Sequence, residues 1–217
     1  MTRRRARGNR WADHYTRKAR KEKYPARSVY KLQEIQKKNR IIARGNRVLD
    51  LGCAPGSWLL YAAELTGPSG RAVGVDLQAV TIQLPAHAEA HVGDIRELGD
   101  DFWEKIGAPF DVVLSDMAPA TTGNKDVDAA RSLNLCEAAF SVARERLSPG
   151  GAFVCKIFQG EDVKRFSDAV RSAFKNHKFY KPQSSRKASR EIYIIGSGKH
   201  LGGNKDVRAQ QMVHHST

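Results

Sequence analysis

The segment from Val48 to Trp58 has the residue types and spacing of a site for a nucleotide-like cofactor. It reads Val-Leu-Asp-Leu-Gly-Cys-Ala-Pro-Gly-Ser-Trp, which predicts a strand, a turn at Gly52 and Gly56, and a helix that begins near Ser57. Glycine lets the backbone of such a turn take positive φ angles and approach a ligand that a Cβ would obstruct. The chemistry expected here is the binding of a cofactor that contains a nucleoside.

An acid at the end of the next predicted strand narrows the class of cofactor. Asp76 lies twenty residues after Gly56, where a carboxylate can accept hydrogen bonds from ribose hydroxyls. The spacing of Gly52 and Gly56 is Gly-x-x-x-Gly, which lacks the Gly-x-Gly-x-x-Gly cradle for a pyrophosphate. We therefore expect an adenosine cofactor without phosphates, S-adenosylmethionine. On these residues alone, an ordinary tight turn in another α/β protein stays an alternative.

Two polar residues in apolar surroundings are candidates for catalysis. Lys156 lies inside a hydrophobic predicted strand at 151–158, and a lysine is costly to bury unless it is paired. Asp116 directly follows the predicted strand at 110–115, and we expect its carboxylate to be that partner. A purely structural salt bridge would explain the same pair.

The elements that must position these residues alternate as a doubly wound α/β fold requires. After the first two strands, further strands are predicted at 90–92, 110–115, 151–158, 178–180 and 192–195. Helices are predicted at 58–66, 101–106, 127–147 and 161–175. Strands that are almost continuously apolar indicate a mostly parallel, seven-stranded sheet with helices on both faces. Ligands bind beyond the carboxyl ends of such strands, which selects residues 50–58, Asp76, Asp94, Asp116 and Lys156.

The positive charge of the chain is concentrated in two segments. The formal net charge is +14, and residues 1–47 hold 17 lysines and arginines against three acids, whereas residues 48–174 hold 11 against 18. Residues 175–190 add six cations and no acid. Because lysine and arginine gain affinity for phosphates chiefly by releasing counterions, we expect both basic segments to bind a nucleic acid. A solvated face or a disordered tail is the alternative for either segment taken singly.

Cysteine spacing and hydropathy exclude several other classes. Cys53, Cys136 and Cys155 are too irregularly spaced for a disulfide framework or a metal-binding pair, so we expect reduced thiols and no metal. No apolar run is long enough to span a membrane, and none follows the basic N-terminus as a signal peptide would require. We expect a soluble, cytoplasmic monomer.

Five separated motifs give the sequence a specific likeness over about residues 10–198. They are Arg27-Ser-Val-Tyr-Lys31-Leu-Gln-Glu-Ile35, Asp50-Leu-Gly-Cys-Ala-Pro-Gly-Ser-Trp58, Ser115-Asp-Met-Ala-Pro119, Lys156-Ile-Phe-Gln-Gly160 and Ser184-Ser-Arg-Lys-Ala-Ser-Arg-Glu191-Ile-Tyr193. Together they resemble the FtsJ family of methyltransferases, which act on the ribose 2′ oxygen of large-subunit (23S) ribosomal RNA. The resemblance implies a single Rossmann-like methyltransferase domain that uses S-adenosylmethionine, with ribosomal RNA or the large ribosomal subunit as its partner.

The resemblance also implies roles for particular residues. The catalytic Lys-Asp-Lys-Glu tetrad of the family falls on Lys31, Asp116, Lys156 and Glu191, with no member substituted. Its cofactor residues fall on Gly56, Trp58, Asp76, Asp94 and Asp116. The sequence departs from the family pattern at Cys53 and Ser57, both of which are still small. Domain boundaries follow: a basic RNA-binding segment with a helix at 1–45, the methyltransferase domain at 46–196 and a flexible tail at 197–217.

The tetrad has a chemical rationale of its own. A ribose 2′-hydroxyl is a weak nucleophile, so methyl transfer needs alignment of the reacting atoms and a group that takes the proton. We hypothesise that burial and the charge of Lys31 favour the neutral, proton-accepting form of Lys156, and that Asp116 orients this base. Glu191 would hold Lys31 or the ribose. Asp76 would bind the cofactor ribose and Asp94 the adenine amino group.

Other functions stay open at this stage. Within the enzyme class, the alternative is 2′-O-methylation of transfer RNA or of a messenger RNA cap. A non-catalytic RNA-binding factor for ribosome assembly on the same fold is a further alternative, although the intact tetrad and glycine turn argue against it. A base N-methyltransferase is disfavoured because it usually has Asn/Asp-Pro-Pro-aromatic where this chain has Asp116-Met-Ala-Pro119. A pyrimidine C5 methyltransferase is disfavoured because this loop contains no nucleophilic cysteine.

Overall fold

The computed structural model describes residues 10–186 and 188–201, with side chains from His14 onward. The helices are α1 (Arg10–Lys21), α2 (Val29–Asn39), α3 (Ser57–Thr66), α4 (Asp100–Ile106), α5 (Lys125–Arg146) and α6 (Val163–Ala173). The strands are β1 (Arg47–Leu51), β2 (Arg71–Asp76), β3 (Ala88–Val92), β4 (Phe110–Ser115), β5 (Leu147–Phe158), β6 (Phe174–Tyr180) and β7 (Glu191–Lys199).

The strands form one seven-stranded sheet in the order β3-β2-β1-β4-β5-β7-β6. The first five strands in the chain pair in parallel, whereas β7 is antiparallel to both β5 and β6. This arrangement confirms the predicted mostly parallel α/β fold. The carboxyl ends of β1, β2 and β4 meet at one edge of the sheet, which is where the sequence places its candidate site.

The central strands β1, β2 and β4 are buried on both faces because they are apolar on both sides. Leu49 and Leu51 of β1 pack in a cluster with residues of α4, α5 and α6, while Val48 packs in a second cluster with residues of α2 and α3. Alternation along β1 therefore sends neighbouring side chains to opposite faces. The basic helix α2 belongs to this core, since its Leu32 and Ile35 are fully buried.

The structure corrects several element boundaries. Helix α6 ends at Ala173 instead of residue 175, because Phe174 is buried in β6 and stacks on Phe153 with ring centroids 6.3 Å apart. Strand β5 begins at Leu147, and β7 continues to Lys199, so residues 197–199 belong to the sheet and not to a tail. The N-terminal segment contains two helices where one was expected. Residues 1–9 of the predicted basic segment and residues 202–217 of the predicted tail lie outside the described residues.

Candidate active site

The glycine turn joins β1 to α3 and is closely packed on its own chain. Gly52 has a φ of 78°, and a Cβ at this position would overlap the side chain of Met117. Gly56 has a φ of 108°, and a Cβ there would meet Val80 and Ile82. Both glycines are thus required by backbone conformation and by close packing against neighbouring protein atoms. The expected backbone geometry is present, but the atoms nearest to each glycine belong to the protein.

The serine at position 57 has an evident structural role. Its hydroxyl accepts a hydrogen bond from the backbone N–H of Ala26 at 2.7 Å and donates one to the carbonyl of Ala26 at 3.1 Å. Ser57 is the first residue of α3, so the pair of bonds fixes the N-terminal segment against the start of this helix. A small residue without a hydroxyl would not make this attachment.

Asp76 is anchored to the glycine turn. One carboxylate oxygen accepts a hydrogen bond from the N–H of Ala54 at 2.9 Å, and the other accepts one from the N–H of Gln78 at 2.8 Å. Each oxygen retains acceptor capacity for a ligand hydroxyl. Asp76 therefore holds a fixed orientation at the wall of a cleft of about 310 Å³.

Asp94 lies on the same cleft and is paired with Arg96. The guanidinium binds both carboxylate oxygens of Asp94, with Nε 2.9 Å from Oδ1. This hydrogen bonding, helped by the N–H of Arg96, lowers the pKa of Asp94 to about 2. The carboxylate is consequently ionised near neutral pH and can only accept hydrogen bonds.

Asp116 connects the cleft to a chain of ion pairs. Its Oδ1 lies 3.0 Å from Nζ of Lys156 and 4.0 Å from Nζ of Lys31, and Lys31 in turn lies 3.0 Å from Oε2 of Glu191. Lys156 also donates to the backbone carbonyl of Asp116. The four side chains that the sequence selected from β4, β5, α2 and β7 are thus brought together. Because Asp116 lines the cleft, this cluster stands at its edge.

The match to known proteins agrees with this geometry. The sequence pattern of FtsJ-like methyltransferases matches residues 24–199, which include the turn, the cleft and all four charged side chains. The chain belongs to the FtsJ-like methyltransferase family.

Two relatives of this methyltransferase carry the same name. The chain is 64% identical over 191 residues to the ribosomal RNA large subunit methyltransferase E of Desulforapulum autotrophicum, covering 88% of this chain and 94% of that protein. It is 53% identical over 196 residues to the protein of the same name from Desulfatibacillum aliphaticivorans, covering 90% and 95%.

Solved structures support the fold of the methyltransferase. A Plasmodium falciparum protein assigned as a ribosomal RNA methyltransferase superposes with a TM-score of 0.72 at 24% identity, over 81% of this chain and 98% of that one. Fibrillarin from Aeropyrum pernix, solved with bound S-adenosyl-L-methionine, superposes with a TM-score of 0.53 at 17% identity, over 72% and 68%. Both comparisons bear on the fold alone.

Tyr193 belongs to this cluster, although the sequence analysis did not select it. Its hydroxyl donates a hydrogen bond of 2.6 Å to Oδ1 of Asp116, and its ring is fully buried. Burial, followed by the charge of Asp116, raises the pKa of Tyr193 well above its usual value, so the phenol stays protonated and donates. The signal was present in the sequence, because alternation along β7 places Tyr193 on the same face as Glu191.

The charge of Asp116 results from opposing effects. Burial favours the neutral acid, but Lys156, Lys31 and the hydroxyl of Tyr193 outweigh it and hold the pKa of Asp116 below its usual range. Asp116 is therefore a carboxylate in this methyltransferase. Cys155 lies in the core cluster with α5, on the opposite face of the sheet from Tyr193.

Trp58 and Gly56 are placed differently from the other predicted cofactor residues. The indole of Trp58 is buried, donates to the carbonyl of Ser28 at 2.8 Å and stacks on Tyr193 with centroids 5.8 Å apart. Neither residue is among those lining the cleft. Trp58 packs against the ring of Tyr193. A direct contact of Trp58 or Gly56 with a cofactor stays a prediction.

The two basic segments meet at Glu34 on α2. Its carboxylate accepts hydrogen bonds from the N–H of Gln183 at 2.7 Å, the N–H of Ser184 at 2.8 Å and the hydroxyl of Tyr180 at 3.2 Å. These bonds attach the loop between β6 and β7 to α2. Arg27 and Lys31 of the first basic segment and Arg186 of the second line one pocket.

The described part of the chain contains neither a metal-binding cluster nor a membrane-spanning helix. Within residues 10–186 and 188–201, no cluster of three or more histidine, cysteine, aspartate or glutamate side chains is arranged to hold a metal ion. Over the same residues, no helix combines the length and the apolar character that crossing a bilayer requires.

Proposed function

We propose that this methyltransferase transfers a methyl group from S-adenosylmethionine to the 2′ oxygen of a ribose in large-subunit ribosomal RNA. The observation that carries the proposal is the connection of Lys156, Asp116, Lys31 and Glu191 by ion pairs at the edge of the cleft. A lysine next to a carboxylate can take a proton from a weakly acidic hydroxyl and remain stabilised once it is charged.

The cleft fits the proposed cofactor in size and charge. Its volume of about 310 Å³ is within the range of small-molecule sites. Its carboxylates, Asp76, Asp94 and Asp116, would attract a cationic ligand and accept its hydroxyl and amino hydrogens. When bound, the cofactor supplies an electrophilic methyl group on a sulfonium.

The protein supplies alignment and proton transfer. The ammonium of Lys156 must first release a proton to solvent; its neutral Nζ then accepts the proton of the 2′-hydroxyl, and the carboxylate of Asp116 stabilises the ammonium that re-forms. Tyr193 holds Asp116 in place through its hydrogen bond of 2.6 Å. Lys31, held by Glu191, adds positive charge beside the oxygen that becomes the nucleophile.

The names of the relatives and the charge of the chain support the choice of substrate. Both relatives described above are named for large-subunit ribosomal RNA. Residues 1–47 and 175–190 carry the excess of positive charge that a polyanion requires.

The test is a transfer assay with methyl-labelled cofactor. The purified protein is incubated with large ribosomal subunits, with their extracted RNA and with transfer RNA, all from cells that lack the enzyme. We expect label in large-subunit RNA that survives alkaline hydrolysis as a dinucleotide, since a 2′-O-methyl group blocks cleavage of the adjacent phosphodiester. Label on a base, or label confined to transfer RNA, would overturn the proposal.

A further inference from the structure

A second pocket adjoins the ion pair of Lys31 and Glu191. It has a volume of about 290 Å³ and lies between the start of α2 and the loop that joins β6 to β7. Its walls carry three cationic side chains, Arg27, Lys31 and Arg186, and hydroxyls that include Ser184. This composition suits an anion with several acceptor oxygens.

Ser184 is the residue that points to a ligand. It is 6% exposed, and its hydroxyl oxygen is buried without a hydrogen-bond partner among the described residues. Buried hydroxyls are normally paired, so an unpaired hydroxyl in the wall of a pocket indicates a partner from outside the chain. The backbone N–H of Ser184 donates a hydrogen bond to Glu34, and this bond fixes the position of the residue in the wall of the pocket.

The pocket is lined by more cationic side chains than carboxylates. Its single carboxylate, Glu191, is engaged by Lys31 at 3.0 Å and by the hydroxyl of Ser185 at 2.6 Å. Burial and then the nearby charge of Arg186 lower the pKa of Arg27. An anion between the guanidiniums of Arg27 and Arg186 would offset the cost of burying the charge of Arg27 and the repulsion between the two cations.

We propose that this pocket, formed by Arg27, Ser184 and Arg186, binds the phosphodiester on the 3′ side of the ribose that is methylated. The proposal rests on the proposed function. It goes beyond general attraction of RNA, because it assigns one phosphate of the substrate to one pocket.

Covalent connectivity selects the 3′ phosphate. The 2′ and 3′ carbons of a ribose are adjacent, so the phosphate on the 3′ oxygen is the one nearest in the chain to the reacting hydroxyl. Lys31 lines the pocket and its Nζ is 4.0 Å from Oδ1 of Asp116, which also pairs with Lys156. A 2′-hydroxyl beside Lys156 therefore places its neighbouring phosphate next to Lys31 and within the pocket. The enzyme should accordingly require an internal nucleotide and not act at a 3′-terminal hydroxyl.

The first test measures binding and does not depend on methyl transfer. Binding of extracted large-subunit RNA is followed against salt concentration for the wild type, Ser184→Ala, Arg186→Gln and the charge-retaining Arg186→Lys. Arg171→Gln, on α6, is the matched control because its side chain is 66% exposed. We expect Arg186→Gln to bind on the order of tenfold more weakly and to lose close to one unit of salt slope. Arg186→Lys should restore most of the slope, and Arg171→Gln should resemble the wild type.

Ser184→Ala separates a ligand contact from a structural role. Since the hydroxyl has no partner among the described residues, its removal should leave the thermal midpoint unchanged while RNA binding weakens several-fold. A lower midpoint with unchanged RNA binding would mean that Ser184 serves the fold, and would overturn the proposal.

The second test addresses which phosphate is bound. After the methylated nucleotide has been mapped, synthetic RNA is made with a neutral methylphosphonate either directly 3′ or directly 5′ of it. We expect the 3′ substitution to reduce transfer on the order of tenfold with the wild type and to have much less effect with Arg186→Gln, as expected for two changes at one contact. A larger effect of the 5′ substitution, or equal penalties in both proteins, would refute the assignment. If no RNA accepts a sugar methyl group, the proposed function fails, and the salt slopes still decide whether the pocket binds phosphate.

Discussion

The hydroxyl of Tyr193 lies 2.6 Å from Oδ1 of Asp116, the same oxygen that lies 3.0 Å from Nζ of Lys156. Tyr193 stands directly opposite Lys156 in the register of β5 and β7. One oxygen of Asp116 thus receives a neutral donor and a cation from two neighbouring strands. The position of the Asp116 carboxylate relative to the cleft depends on both of these contacts.

Tyr193→Phe should impair the chemical step more than ligand binding. The substitution keeps the buried ring and its stacking on Trp58 but removes a hydrogen bond to a charged group, worth about 1.5–3 kcal/mol. We expect kcat to fall roughly tenfold, with little change in the dissociation constant of the cofactor. Single-turnover rates at saturating RNA, combined with calorimetry of cofactor binding, provide the measurement.

The same substitution should change the response to acid. The pKa of Asp116 is lower in the folded protein than its usual value. Its ionisation therefore stabilises the fold above about pH 4, and this contribution is lost as the pH falls through the folded pKa. Loss of the Tyr193 hydrogen bond raises the folded pKa, so acid unfolding of Tyr193→Phe should begin at a higher pH. An identical acid transition in the two proteins would contradict this account of Asp116.

Lys156→Ala tests the base directly. If Lys156 accepts the proton, transfer should fall by about two orders of magnitude or more while cofactor binding is nearly intact. Lys164→Ala, with a side chain that is 88% exposed on α6, is the control. A near-normal single-turnover rate for Lys156→Ala would leave its contact with Asp116 as a structural salt bridge.

Asp76→Ala tests the cofactor site. Loss of a charged acceptor should weaken S-adenosylmethionine binding by about 1.5–3 kcal/mol. Because Asp76 also accepts the N–H of Ala54, we expect Asp76→Asn to retain part of the affinity by keeping the turn in place. Calorimetry should find no comparable affinity of the wild type for NAD, whose pyrophosphate the turn is not expected to cradle.

Removal of residues 1–9 tests the basic N-terminal segment. The deletion takes away four arginines and ends before α1, which begins at Arg10. RNA binding should weaken and its salt slope should fall by close to one unit for each lost phosphate contact, with cofactor affinity unchanged. An unaltered slope would show that these arginines do not contact the substrate.

Two members of the cluster could be located from the sequence because they have conspicuous environments. Lys156 in an apolar strand and Asp116 at a strand end are chemically costly to place without a partner, so their pairing could be inferred. Lys31 and Glu191 could be added only through the family resemblance, because neither is unusual where it stands.

The parts that the sequence did not predict depend on long-range packing. The insertion of β7 between β5 and β6 leaves no local signal, and it is this insertion that places Tyr193 opposite Lys156. Trp58 follows the glycine turn in sequence, yet its side chain turns away to the carbonyl of Ser28. Its orientation is decided by Ser28, the N-cap of α2, which precedes it by 30 residues and could not be positioned from periodicity alone.

The strand order determines when each part of the sheet can fold while the chain is being synthesised on the ribosome. Lys31 emerges early, but its partner Glu191 is made 160 residues later, at the start of the last strand. Until β7 has left the exit tunnel, β6 has no strand of the sheet to pair with, and Asp116 lacks the hydrogen bond from Tyr193. A nascent chain can therefore form the cleft lined by Asp76, Asp94 and Asp116 before Lys31 meets Glu191, and the four-residue cluster is complete only after β7 has been synthesised.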